Sequence, residues 1–264
     1  MKILYLMSEF PYPPRGGGAL RIMGLVTGAA RAGHDIHILS FGVELNHTPL
    51  HDLCASIEMI PSPQRSKTDR IKTLLLSSHA DMERRNWSDD FLKALERKLQ
   101  QNHFDIVQFQ SLEMGIYLRH VRHIQPEAKL IYDAYNAEAE LQHMVYETDR
   151  QNLKMLPMAF YSWMQWKRLS TFERQLCQNA DAVIAVSEID QHTLQKIAGK
   201  TPVYMVNNGI DVSDYATAPD VKLDLQPPAL IFTGIMDYRP NVDAAVWFAE
   251  DIFPKIRHPG VHLY

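Results

Sequence analysis

Cysteine is nearly absent from this chain of 264 residues: Cys54 and Cys177 are the only two, with no C-x-x-C motif and no His cluster at ligand spacing. That argues against a disulfide framework and a zinc site, and makes the cytosol the expected setting. A charge excess is missing as well. The net charge is −4, with 27 basic against 31 acidic residues, and the basic ones are scattered, so no footprint for nucleic acid exists. Long apolar runs are also lacking. The N-terminal run ends at Met7, before Glu9 and a set of prolines, too short for the core of a signal peptide. Nowhere does the chain reach the roughly 18 apolar residues of a spanning helix, so any membrane contact is expected to be peripheral, at the inner face of the cell membrane. Internal repeats and low-complexity tracts are absent too.

What is present is an apolar share of 46%, ample for one large domain or two smaller ones. The chain is organised around Lys2 to Phe41. Lys2 to Ser8 is a short apolar run of strand length, and the prolines and glycines from Pro11 to Gly18 force the chain out of the sheet. From Ala19 to Arg31, apolar residues recur at helical spacing, Gly33 is placed as a left-handed stop, and Asp35 to Phe41 reads as the next strand. This is a βαβ unit.

Gly16, Gly17 and Gly18 stand at a strand's carboxyl end and feed a helix N-terminus. Exposed backbone N–H groups and the helix dipole there suit a phosphate or a sugar hydroxyl. The glycines serve equally well as a tight turn that lets the helix approach the sheet, and the loop sequence weighs the two evenly. They do not spell G-x-G-x-x-G, and Phe41-Gly42 stands where an acidic residue would end the second strand, so a nicotinamide enzyme is disfavoured.

Further along, Ser56 to Ile60 reads as a third strand, Thr68 to Leu76 as a helix, Ser77 to Trp87 as a polar connection and Ser88 as the N-cap of the next helix. Phe104 to Phe109 and Lys129 to Tyr132 read as strands, followed at their carboxyl ends by Gln110-Ser111 and by Asp133-Ala134-Tyr135-Asn136-Ala137-Glu138. In a doubly wound sheet that edge faces the ligand crevice. For Asp133, an Asx turn that caps the following helix is the favoured reading; for Asn136 and Glu138 the residues alone leave the choice open. Gln142 to Gln178 reads as a long helix interrupted near Pro157. Its aromatic and methionine stripe fits a core face better than a bilayer interface, although Trp163, Trp166, Lys167 and Arg168 suit the latter. Asp181 to Val186 is a strand, and Ser187 to Asp190 has the form of a capping box.

Pro202 to Val206 is one more strand, ending at Asn208-Gly209. Residues 1–208 therefore form one α/β domain, 209–228 an interdomain linker rich in proline, and 229–264 the beginning of a second domain. In that second unit Asn241 is the expected N-cap of a helix over Val242 to Ile256. A strand, a helix and a strand's start cannot cover both faces of a parallel sheet, so the second domain reads as unfinished.

These residues together resemble glycosyltransferase family 4 of the GT-B fold, the exopolysaccharide type in particular. The resemblance rests on Pro11-x-Pro13-Pro14-x-Gly16-Gly17-Gly18 with Arg21 and Gly33-His34-Asp35-Ile36, on Asp105-Ile106-Val107, and on Asp133-x-x-Asn136-x-Glu138. It continues in Ala185-Val186-Ser187-Glu188, Asn208-Gly209-Ile210-Asp211 and Phe232-x-Gly234-x-Met236-Asp237-Tyr238-x-Pro240-Asn241. It implies a Rossmann-like doubly wound sheet followed by an incomplete second α/β domain. It also implies hexosyl transfer from a nucleotide-sugar to a hydroxyl acceptor of a glycan or lipid-linked sugar, with retention, no cofactor and no obligatory metal.

Carried over residue by residue, Gly16, Gly17, Gly18, Arg21 and Gly234 line the donor or phosphate side, and Gln110, Ser111, Asn136 and Glu138 the side of the acceptor or transferred sugar. Asn208 and Gly209 form the hinge, and no residue is assigned as catalytic. Two departures stand out. Pro240-Asn241 replaces the Lys-Gly of many relatives, and the later segments that grip the nucleotide fall beyond Tyr264, so the chain as given is expected to be inactive. A non-catalytic glycan- or partner-binding module and a nucleotide-sugar epimerase of the same fold are the alternatives.

Overall fold

The computed structural model describes every residue except 44–45, 67–76, 213–215, 217–222 and 237–238. The helix expected over Thr68 to Leu76 and part of the expected linker lie outside the described residues. The chain forms two compact units, Met1–Ile210 and Asp211–Tyr264.

The first unit is built on a seven-stranded sheet whose paired strands all run parallel. The strands are β1 (Lys2–Met7), β2 (Asp35–Phe41), β3 (Ser56–Ile60), β4 (Ile106–Gln110), β5 (Lys129–Asp133), β6 (Ala182–Ala185) and β7 (Val203–Met205), in the spatial order β3-β2-β1-β4-β5-β6-β7. The order reverses between β1 and β4, and this is the switch point of a Rossmann-like, doubly wound α/β fold. Alternation along β1 shows how both faces are covered. Ile3, Tyr5 and Met7 pack with Ile22 and Val26 of helix α1 (Gly17–Arg31), while Leu4 and Leu6 join the larger core on the other face with Phe91, Phe109 and Leu176.

The remaining α-helices among the described residues of this unit are α2 (Asp81–Arg84), α3 (Asp89–Gln101), α4 (Leu118–Ile124), α5 (Glu138–Asp149), α6 (Leu156–Asn179) and α7 (Glu188–Ala198). Several endings follow their sequence signals. Gly33 has φ 82°, the Ser88 hydroxyl accepts from the Phe91 N–H, and the Ser187 hydroxyl accepts from the Asp190 N–H.

Other expectations are corrected. The connection over Ser77 to Trp87 contains the short α2. Pro157 does not interrupt a helix. It sits in the first turn of α6, where its missing N–H costs nothing, and the break from α5 falls at residues 150–155. Asp133 makes no Asx turn, and α5 is instead capped by side chains from α6 and α7. The core reading of the 142–178 stripe fails over the first half of α6, where Phe160 is 64% exposed and Trp163 39%.

In the second unit, β8 (Ala229–Leu230) pairs in parallel with β9 (His262–Leu263), and α8 (Arg239–Trp247) lies between them in sequence. A π-helical turn (Phe248–Ile252) and a 3₁₀ turn (Phe253–Lys255) carry the chain onward where one continuous helix was expected. Asn241 is inside α8 rather than its N-cap. Its Nδ2 donates to the Ile235 carbonyl at 3.1 Å, and Gly234 leaves room for that side chain, because a Cβ there would lie 3.0 Å from Asn241 Nδ2.

Candidate active site

The glycine loop follows β1 and Gln110-Ser111 ends β4, so the two stretches flank the switch point, with Met7 and Gln110 in register. Gly16 adopts φ 115°, open to glycine and strained for any side chain, and α1 starts directly after it. No side chain caps this helix and its first turn holds no acid, so the leading N–H groups are left for an external acceptor. Gly18 packs against the Tyr135 ring, 3.4 Å from where its Cβ would be, and the Tyr135 hydroxyl donates to Gln110 Oε1 at 3.3 Å. Tyr135 thus ties the glycine loop to the end of β4.

Ser111 is the one described non-glycine residue with positive φ, at 75° with ψ 163°. Its backbone N–H donates to the Asp133 carbonyl at 3.1 Å, which fixes the turn, while its buried Oγ has no partner. Gln110 Nε2 and the wholly buried Tyr132 hydroxyl are likewise without partners of hydrogen-bond geometry. Buried polar groups are nearly always satisfied, so the two orphans at the end of β4, Gln110 Nε2 and Ser111 Oγ, are the candidates for a ligand contact, while the Tyr132 hydroxyl lies on the other face of the sheet, toward Glu173 and Cys177.

Arg21 sits otherwise than a phosphate contact facing solvent. It is buried, with Nη2 2.6 Å from Asp133 Oδ1 and Nε 3.2 Å from both carboxylate oxygens. Its Nη1 donates to the Val206 carbonyl at 2.8 Å and to Asn208 Oδ1 at 3.0 Å. Burial pushes the Asp133 carboxyl above the usual range while Arg21 opposes the shift. Arg21 thereby fastens α1 to the end of β5 and to Asn208, a residue expected at the hinge. Gly209 follows Asn208, and Gly234 belongs to the second unit.

Asn136 Nδ2 donates to Glu138 Oε1 at 3.1 Å, so these two expected acceptor-side residues do meet. Behind them stands Glu173 of α6, which the sequence reading missed. Its carboxylate accepts from the Glu138 N–H at 2.9 Å and the Ala139 N–H at 3.1 Å, and Asp190 Oδ1 accepts from the Ala137 N–H at 3.0 Å. Burial raises the Glu173 carboxyl from 4.5 to about 7 against those two donors, with Glu138 and Asp190 adding to the rise. Burial also raises Glu138, with Asn136 opposing. The signal for Glu173 was available: it is spaced i+4 from Leu169 and i−3 from Leu176, on the helix's buried face. Glu113, at the start of the segment after β4, pairs with Arg85.

A cavity of about 620 Å³ opens at the opposite edge of the sheet, between Met1, the residues before β4 and the 124–129 turn, and contains none of these orphaned groups.

A doubly wound parallel sheet with a glycine loop and polar strand ends at its switch point, followed by a second α/β unit, is the arrangement of the first half of a GT-B glycosyltransferase. The chain belongs to glycosyltransferase family 4, whose profile matches residues 15–214. No curated protein matches it. Among solved structures it is similar to Anabaena HepE, crystallised with UDP and glucose, at 14% identity and a TM-score of 0.52 over 83% of this chain and 47% of that one. The catalytic domain of starch synthase IV from Arabidopsis thaliana, bound to ADP and acarbose, matches at 12% identity and TM-score 0.47, over 83% and 54% of the two chains. The lipopolysaccharide outer core galactosyltransferase WaaB in its apo form matches at 11% identity and TM-score 0.49, over 89% and 52%. The chain spans about half the length of these structures. Among the described residues, no helix is long and apolar enough to cross a membrane.

Proposed function

We propose that this chain is the acceptor-side portion of a hexosyltransferase that moves a sugar, with retention, from a nucleotide-sugar to a hydroxyl acceptor during polysaccharide or glycolipid synthesis in the cytoplasm. The observation that carries this reading is Ser111: a strained backbone and an orphaned buried hydroxyl, at the switch point and beside the glycine loop. Gln110 Nε2 and Ser111 Oγ supply hydrogen-bonding capacity for the transferred sugar, and Asn136 and Glu138 line the acceptor side. Negative charge grows on the leaving diphosphate as the glycosidic bond breaks, and the uncapped N–H groups of Gly17 and Gly18 at the start of α1 stabilise it. Gly234 belongs to the donor half. HepE, seen with UDP and glucose, supports a nucleotide-sugar as the donor.

The test uses the protein expressed from its complete reading frame, offered uridine, guanosine and adenosine diphosphate sugars, with product release and anomeric configuration followed by NMR. Transfer with one donor is expected. Gly17→Val, whose Cβ meets nothing within 4 Å, is expected to keep the fold and lose donor binding. Inactivity across the panel overturns the reading in favour of a binding module, and epimerised donor in the absence of acceptor overturns it in favour of an epimerase.

A further inference from the structure

A second cavity, of about 300 Å³, lies in the first unit among residues of α2, α4 and the carboxyl half of α6, and contains none of the switch-point residues. Its apolar lining includes Ile116, Phe172 and Trp87. Trp87 is fixed in place, its Nε1 donating to Asp89 Oδ1 at 3.2 Å and its ring stacked on Tyr117 at 5.7 Å. The surrounding elements are tied together as well. Arg168 Nη1 donates to the His79 carbonyl at 3.3 Å and the Asp81 N–H to Gln165 Oε1 at 2.8 Å, so α6 holds the segment that carries α2.

Charge in this lining does not balance, although the whole chain is acidic. Arg84 and Arg119 both line the cavity, and among the described residues neither guanidinium has a carboxylate partner; Arg84 rests on the Trp87 ring, 5.5 Å from its centre. The His120 ring, 5.8 Å from that of Trp87, likewise makes no hydrogen bond among the described residues. Glu83 is the one acid of the lining, and His79 Nδ1 engages it at 2.7 Å. Two guanidiniums that line one small cavity repel each other, and low-dielectric walls concentrate their field on whatever enters.

We propose that this cavity binds a phosphorylated monosaccharide, with Arg84 and Arg119 on the phosphate and the sugar ring against Ile116, Phe172 and Trp87. A phosphate monoester carries a charge of about −2 near pH 7 and offers three acceptor oxygens, which matches two guanidinium forks; a single carboxylate would leave one of the two cations uncompensated. The C–H face of a sugar ring suits the aromatic and aliphatic lining, and His120 and the exposed amide of Gln175 supply partners for its hydroxyls. The volume falls at the lower end of small-molecule sites, roughly 300–1,000 Å³, which suits one sugar rather than an oligosaccharide or a nucleotide-sugar. This inference is independent of the sugar-transfer reading.

The test is calorimetric titration of the whole chain with glucose 1-phosphate, glucose 6-phosphate, inorganic phosphate and glucose. One of the sugar phosphates is expected to bind with a Kd roughly tenfold or more below those of inorganic phosphate and glucose, and to weaken as salt is added. Arg84→Gln with Arg119→Gln raises that Kd roughly tenfold or more. Arg174→Gln, an exposed arginine of α6 outside the cavity, leaves it unchanged, and so does Gly17→Val in the glycine loop. Circular dichroism of each variant confirms folding. No binding of either sugar phosphate, or equal binding by wild type and the Arg84/Arg119 variant, overturns the proposal. Loss of binding in Gly17→Val places the ligand at the glycine loop and also overturns it. Inorganic phosphate that binds as tightly as the sugar phosphates overturns it in favour of a plain anion site.

Discussion

The guanidinium of Arg21 and the carboxylate of Asp133 form a buried, doubly bonded pair that joins the first helix to the end of the fifth strand. The pair crosses the switch point beneath the glycine loop. Through Nη1 it also holds Val206 and Asn208, at the far end of the first unit's chain. The geometry makes Arg21 a positioning residue that sets where the loop stands.

Removing one member of this pair leaves the other charge buried and uncompensated. Arg21→Ala and Asp133→Ala are each expected to destabilise the first unit by about 3–5 kcal/mol, measured by urea unfolding. Joint replacement by Met and Leu recovers most of that loss, because no charge is then stranded. A loss below about 1 kcal/mol in the single variants would show that the guanidinium turns outward and is free for a ligand.

Gly115, in the turn after β4, is closed to any side chain. A Cβ there would lie 2.4 and 2.8 Å from the methyl carbons of the buried Leu176, whose side chain would have to shift to admit it. Gly115→Ala is expected to cost about 1–3 kcal/mol through overpacking. Combined with Leu176→Ala, its cost falls well below the sum of the two single changes, because the cavity accepts the new methyl. Additive losses in thermal unfolding would mean that the two sites do not touch.

The strand and helix pattern was legible because parallel strands buried on both faces read as apolar runs and some helices began at a signal, the hydroxyl caps Ser88 and Ser187. The glycine loop, Gln110-Ser111 and Asn136-Glu138 could be placed for the same reason, since each directly follows such a run. Long-range partners were not legible: Arg21 and Asp133 are 112 residues apart, and nothing local announces that they meet. Glu173 was hidden differently, as an acid inside an aromatic stripe read as core. The outward turn of Phe160 and Trp163 was misread because apolar periodicity identifies a stripe without saying whether protein or solvent lies against it.

Glu173 gives the first unit a pH dependence of known sign. Its carboxyl rises from 4.5 to about 7 in the folded state, chiefly through burial, so folding favours the protonated form. The stabilisation from that proton is fully present below pH 4.5 and is lost as pH rises through about 7, a change on the order of 3 kcal/mol. Glu173→Gln cannot titrate. Across that window wild type is expected to lose stability relative to the variant, read as the difference between two denaturant series at each pH. Parallel profiles would show that Glu173 is ionised throughout, held by its two N–H donors.

Ser111 carries the clearest conflict between stability and use. Its φ of 75° costs a non-glycine residue about 1–3 kcal/mol, and its orphaned hydroxyl adds a desolvation penalty. Ser111→Gly removes both and is expected to stabilise the first unit by roughly 1 kcal/mol, glycine's greater freedom in the unfolded chain offsetting part of the gain. Ser111→Ala keeps the strained backbone but loses the hydroxyl, so it relieves the desolvation penalty alone and stabilises less. In the protein from the complete reading frame both variants are expected to lower kcat/KM for transfer by tenfold or more, about 1.4 kcal/mol of transition-state stabilisation, since both remove the hydroxyl. A stabilised Ser111→Gly enzyme that transfers sugar at the wild-type rate would mean that the strain serves only the turn into the following segment. Rising stability with falling kcat/KM is the signature of a backbone held out of its preferred range for the substrate's sake.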